Sequence, residues 1–164
     1  MNDLTISLDN PLISDGFTPG TSVAMHLNQR LAKLIMSEFE RLIKENSELT
    51  LASWRVLLAL HQMGSSSQKV IVEFCYLDQG QVSRALRFLE EKKFVFSGES
   101  EQDRRSRLFS LTSEGQAYRE NLQPKIDAFH QRLNDALTEE EIKIYSVITS
   151  KIADAAIRNS NIGK

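Results

Sequence analysis

Gly80, Ser83, Arg84 and Arg87 follow one another at three- and four-residue steps, and Arg104, Arg105 and Arg107 crowd a polar stretch shortly after them. Guanidinium groups at such spacing do not activate a nucleophile; they neutralise phosphate and hydrogen-bond to base edges, which their forked geometry suits. Advancing about 100° per residue from Gly80 puts Val82, Ala85, Leu86 and Leu89 on one side of a helix, with Gly80, Ser83, Arg84 and Arg87 on the other. The small residues let such a helix come close to a groove floor, and the arginines reach out from it. Any solvated surface helix shares this division, so the neighbouring elements must decide between the two readings.

Other chemistry is poorly supported. A single cysteine, Cys75, removes a disulfide framework and a thiolate metal cluster. Cys75 falls on the inward face of a short helix, which suits packing; a sensor thiol would need exposure and a depressed pKa. His26, His61 and His130 lack the paired spacing of a zinc site, and Ser65-Ser66-Ser67 stands in neither a nucleophile elbow nor a Gly-rich phosphate loop. No enzyme, metal or cofactor is expected. Phe39, Trp54, Tyr118 and Phe129 recur at helical spacing, and burial in a core outweighs the alternative that they line a ligand pocket.

The chain has 164 residues, 41% hydrophobic and 26% charged, enough for one domain with a real core. Its formal net charge of −2 does not advertise a polyanionic partner, and residues 67–111 hold only eight Lys and Arg against seven Asp and Glu. A basic face must therefore be local. The N-terminus lacks a basic opening and an apolar run, and no stretch approaches about 18 consecutive apolar residues; a soluble, cytoplasmic protein with no membrane partner is expected.

Residues 1–20 read as an irregular arm carrying Leu4, Ile6, Leu8, Leu12 and Phe17. From 22 to about 46, Leu27, Leu31, Leu34, Ile35, Phe39, Leu42 and Ile43 mark a long amphipathic helix. Thr50 caps a second helix that Gly64 ends, a short third begins near Ser67, and Asp78 with Gln81 forms a capping box for a fourth. Residues 94–111 read as a two-stranded hairpin with a long polar tip. Thr112 caps the next helix, in which Pro124 predicts a kink or break near Leu122. Thr138 and Glu141 open the last helix, with Ile142, Tyr145, Ile148, Ile152 and Ala156 on one side. The short helix, tight turn and basic helix make a helix-turn-helix whose second helix fits a major groove, and the arginine-bearing hairpin suits a minor groove.

Taken together, Ser67-Gln68-Lys69, the run Asp78-Gln79-Gly80-Gln81-Val82-Ser83-Arg84-Ala85-Leu86-Arg87-Phe88-Leu89-Glu90, then Asp103-Arg104-Arg105-Ser106 and Leu111-Thr112-Ser113-Glu114-Gly115 resemble the MarR family of winged-helix transcriptional regulators. The resemblance spans about residues 22–158. It implies a mainly α fold with a small β-hairpin wing, a homodimer on a pseudo-palindromic operator in double-stranded DNA, release by an unidentified small-molecule effector, and most often repression. It places Gln79, Gly80, Gln81, Ser83, Arg84 and Arg87 on the recognition helix and Ser67, Gln68 and Lys69 near phosphate at a helix N-terminus. It makes Asp103 the residue that shapes the wing, Arg105 the leading minor-groove residue, and Arg104 and Arg107 second choices. Lys93 stands where members usually place Gly, implying a left-handed residue that keeps a side chain able to touch phosphate, and Ser97 stands where a basic residue is common.

The implied organisation is the arm, a dimerisation helix over 21–48, a winged lobe over 49–112 and dimerisation helices over 113–164. The apolar stripes, Leu27 and Leu31 on the first helix with Ile142, Tyr145, Ile148 and Ile152 on the last, exceed what a small winged lobe can bury, so a second copy is expected to cover them. The acidic overall balance motivates one alternative, a winged-helix protein-interaction module that has lost DNA binding.

Overall fold

The computed structural model describes residues 22–99 and 107–158. In chain order these form α1 (Val23–Asn46), α2 (Leu51–Met63), β1 (Ser66–Ser67), α3 (Gln68–Cys75), α4 (Gln79–Glu91), β2 (Val95–Glu99), β3 (Arg107–Leu111), α5 (Ser113–Asn134) and α6 (Glu139–Arg158). The class is the expected one, mainly helical with a small antiparallel wing.

Local chemistry fixes the helix ends. Thr50 Oγ1 accepts from the Ser53 N–H at 3.1 Å, starting α2, and Gly64 at φ 72° ends it. At α4 both halves of the capping box are made: the Gln81 N–H donates to Asp78 Oδ1 at 2.7 Å, and the Asp78 N–H donates to Gln81 Oε1 at 3.2 Å. The far end of α4 closes as a Schellman motif, with the Phe94 N–H on the Leu89 carbonyl and the Lys93 N–H on that of Glu90, both at 2.9 Å. Lys93 has φ 61°, as its place in the sequence implies. Tyr76 closes α3 in the same left-handed region, at φ 51°.

Two expectations change. The hairpin is the larger part of a three-stranded sheet in the order β1-β3-β2, because Ser66 and Ser67 pair with Phe109 and Leu108. Two serines carry no strand signal; the pairing is supplied by β3. Helix α5 also runs through Pro124 unbroken. Glu120, whose carbonyl loses its donor to the proline, is exposed, where water can supply a donor, while Leu122, Ile126 and Phe129 around the proline are buried, and that burial favours continuing the helix.

The chain divides into two compact units. One holds residues 38–130, the other the described residues up to 37 and from 131 onward. In the first, Ile43, Trp54, Leu57, Leu60, Ile71, Val82, Leu89, Val95, Phe109 and Ile126 lie in one core at 4% exposure or less. Phe39 packs on Phe129 at 5.3 Å between ring centroids, and Phe94 on Tyr118 at 4.4 Å. These aromatics serve packing. Cys75 is buried, donates its thiol to the Arg55 carbonyl at 3.4 Å, and has its pKa pushed up by burial, which disfavours the reactive thiolate. His61 Nδ1 meets Gln116 Oε1 at 3.0 Å, and His130 stacks beside Phe39.

A tight backbone junction ties the end of α4, the start of β2 and the start of α5. Thr112 Oγ1 donates to the Lys93 carbonyl at 2.7 Å and accepts from the Gly115 N–H at 2.9 Å, while the Thr112 N–H donates to the Phe94 carbonyl at 3.0 Å. A Cβ on Gly115 would stand 2.0 Å from the Phe94 carbonyl oxygen. Gly115→Ala is therefore expected to destabilise the fold by more than about 3 kcal/mol in urea unfolding, since backbone rather than a side chain must move. Lys93→Gly is expected to act in the opposite direction, adding about 0.5–1 kcal/mol by removing the left-handed penalty. If the Lys93 side chain touches phosphate, the same variant lowers the salt dependence of DNA binding; an unchanged dependence excludes that contact.

Candidate nucleic-acid interface

Helix α4 presents the division that its sequence predicts. Val82, Ala85, Leu86 and Leu89 are buried, which fixes the outward side: Gln79, Gly80, Arg84 and Arg87 are exposed, and Gln81 and Ser83 half-buried. Arg84 and Arg87 make no ion pair among the described residues, whereas Arg41 is held between Glu38 and Glu45 and Lys92 is paired with Glu48. Gly80 keeps the helix surface low here, because a Cβ would lie 3.2 Å from Asp78 Oδ1 and 3.5 Å from the Arg84 guanidinium. Two cations aimed outward on a rigid, capped helix can contact phosphate or a base edge without first breaking an internal pair.

The surrounding residues divide by what they already do. Gln81 spends its side-chain oxygen on the capping box. Gln68 Nε2 donates to the Gln79 carbonyl at 3.4 Å and so holds α3 against the start of α4. Ser67 is the N-cap residue of α3 without a side-chain cap bond, and Lys69 beside it is exposed. Arg107 donates to Glu90 Oε1 at 2.7 Å, and its guanidinium lies 5.2 Å from the centre of the Phe109 ring. Asp103, Arg104 and Arg105 lie outside the described residues.

Glu90 closes the run that resembles the family, but the sequence assigns it no role of its own. Its carboxylate also accepts from Ser97 Oγ at 2.6 Å, so one oxygen of the recognition helix gathers a residue from each wing strand. Glu90 precedes Arg107 by seventeen positions, a separation at which no sequence pattern flags an ion pair. A cavity of about 540 Å³ was likewise unmarked; it is lined by Glu40, Arg55, Leu77, Gln81, Arg84 and Phe88 among others.

In the other unit, Ile142, Tyr145 and Ile148 are 41–49% exposed, and Leu27, Leu31 and Ile152 are half-buried. Leu27, Leu31, Tyr145, Ile148 and Ile152, with Val23 and Ala24, line an apolar groove of about 510 Å³. No helix of the described residues is long and apolar enough to cross a membrane.

Comparison with known proteins matches this arrangement. The MarR family model covers residues 47–106, which contain the whole helix-turn-helix and the first wing strand. An uncharacterised HTH-type transcriptional regulator of Bacillus cereus is 32% identical over 106 residues, 64% of this chain and 70% of that protein. SarZ, an HTH-type transcriptional regulator of Staphylococcus aureus, is 31% identical over 91 residues, 56% of this chain and 61% of its own. Among solved structures, Bordetella bronchiseptica BpsR, whose DNA binding is regulated by 6-hydroxynicotinic acid, superposes with a TM-score of 0.69 at 26% identity, covering 80% of this chain and 99% of BpsR. A cysteine-to-serine mutant of Escherichia coli MarR in complex with operator DNA shares the fold, with a TM-score of 0.65 at 24% identity over 76% of this chain and 91% of its own. The chain belongs to the MarR family of winged helix-turn-helix, DNA-binding transcriptional regulators.

Proposed function

We propose that the protein is a ligand-responsive repressor that acts as a homodimer on a pseudo-palindromic operator. The observation that carries the DNA-facing part is that Arg84 and Arg87 stand exposed on the outward side of α4 and form no ion pair among the described residues, with Lys69 exposed near the start of α3. Two such helices, related by a twofold axis, enter successive major grooves about one helical turn apart, and the wings, with Arg104 and Arg105 in the sequence between β2 and β3, follow the flanking minor grooves. Arg84 and Arg87 read or grip, Ser83 and Gly80 permit close approach, and Gln68 and Gln81 keep the helix pair rigid.

Dimerisation is supported by the apolar surface of the unit holding α6. Ile142, Ile144, Tyr145, Val147 and Ile148 all expose 41% or more of their surface, and a cluster of exposed large apolar residues on one helix marks an interaction surface. A twofold contact in which Leu27, Leu31, Ile142, Tyr145, Ile148 and Ile152 meet their own copies removes it from water. Ligand response is supported by the cavity beside α4. Arg84 lines it and also stands on the exposed side of the helix, so a small molecule that engages this guanidinium competes with DNA for it. BpsR, with its small aromatic acid regulator, supplies the analogy.

The central test is enrichment of bound duplexes from a random pool, followed by titration at several salt concentrations. A palindromic consensus with half-sites about ten base pairs apart is expected. Arg84→Ala is expected to weaken binding by about tenfold or more and to lower the salt slope by about one; unchanged affinity and slope would remove α4 from the interface. Light scattering on the eluting peak is expected to give twice the chain mass at micromolar concentration, and a monomer there defeats the dimeric arrangement.

A further inference from the structure

The recognition helix and the wing are joined by a polar clamp that the helix-turn-helix reading leaves unused. In the sheet register Ser97 lies opposite Phe109, with Val95 opposite Leu111 and Glu99 opposite Arg107, so Ser97, Phe109 and Arg107 share one face of the hairpin. Val95 and Phe109 are buried, which shows that this face is turned toward the core and α4. Glu90, in the last turn of α4, meets it: its Oε1 accepts from Ser97 Oγ at 2.6 Å and from Arg107 at 2.7 Å. The Arg107 guanidinium also lies 5.2 Å from the Phe109 ring centre, so that a carboxylate and an aromatic ring both hold it. Without Glu90, the hairpin's attachment to the recognition helix beyond Val95 and Phe109 lacks both of these bonds.

We infer that Glu90 is a positioning residue for DNA binding: it fixes the direction in which the wing leaves the recognition helix, and Arg107 acts through Glu90 instead of on DNA. The pair is partly solvated, with the Glu90 side chain 26% and that of Arg107 63% exposed, so its contribution to global stability is small. Its effect is on geometry, because displacing a contact by about 1 Å suffices to lose its binding contribution. The inference rests on the reading that the wing grips DNA.

The experiment uses the full-length protein and a duplex enriched from a random pool by the wild type. Glu90→Ala is expected to bind about tenfold more weakly, to melt within about 2 °C of wild type, and to lose hydroxyl-radical protection in the flanking minor grooves while keeping it where α4 binds. Glu90→Gln, which keeps an acceptor for Ser97 and Arg107, is expected to recover most of the affinity. Arg107→Ala is expected to match Glu90→Ala, and the double variant to be no weaker than either single one. Wild-type affinity for Glu90→Ala, loss with unchanged flanking protection, or additive losses in the double variant would each overturn the clamp. Arg105→Ala separates the underlying reading: if it changes neither affinity nor salt slope, the wing does not grip DNA, whereas a loss there beside a neutral Glu90→Ala refutes the clamp alone.

Discussion

The winged unit depends on one hydroxyl. Thr112 Oγ1 stands where α4 has ended, β2 is starting, β3 has ended and α5 is about to begin, and it both donates to the Lys93 carbonyl and accepts from the Gly115 N–H. Each of these element ends leaves backbone groups that must find partners once water is excluded. The Phe94 carbonyl, accepting from the Thr112 N–H and pressed against Gly115, completes the closure. Since there is no room for a side chain at Gly115, the first turn of α5 lies against the corner that terminates the recognition helix, and the approach of two backbones sets the angle. The aromatic contact of Phe94 with Tyr118 extends this junction by one turn of α5, and the Tyr118 hydroxyl accepts from the Glu48 N–H.

Given that frame, the electrostatics turn on which cations are already occupied. A chain with a net charge of −2 can still present a basic surface if its carboxylates neutralise the cations that are not wanted there. Arg41, Lys92 and Arg107 are each held by glutamates, and those pairs, exposed and short-ranged, add little to stability. Their effect is to leave the α4 side to Arg84 and Arg87. Pairing inside the fold, more than total charge, thus decides which cations of the described residues stay outside an ion pair.

What was legible in the sequence was what is local. Thr50, Asp78, Thr112 and Thr138 each announce a helix start through bonds that reach three residues ahead, and those bonds are present. The apolar side of α4 follows from its periodicity alone. The contacts that the sequence does not mark are those whose partners lie farther along the chain: Arg107 meets Glu90 seventeen positions away, and the Gln68 amide meets the Gln79 carbonyl. Of the kink or break expected at Pro124, the break does not occur: the local penalty is real, while burial of the flanking Leu122 and Ile126 offsets it. Strand β1 has no local signature, since two serines pair only when β3 is alongside them.

That last pairing has a kinetic corollary. Strands β2 and β3 follow one another in the chain, with only residues 100–106 between them, so the hairpin can close early and at low cost in loop entropy. Ser66 and Ser67 must instead wait for a strand that lies beyond α3, α4 and the hairpin in the chain, a non-local contact of the kind that slows folding. The start of α3, with Lys69, follows directly from β1 and takes its final position only when this ladder forms. Opening should run in reverse order: the Ser66 and Ser67 amides would be the first of the sheet to exchange with solvent, while β3, flanked by strands on both sides, would be the last.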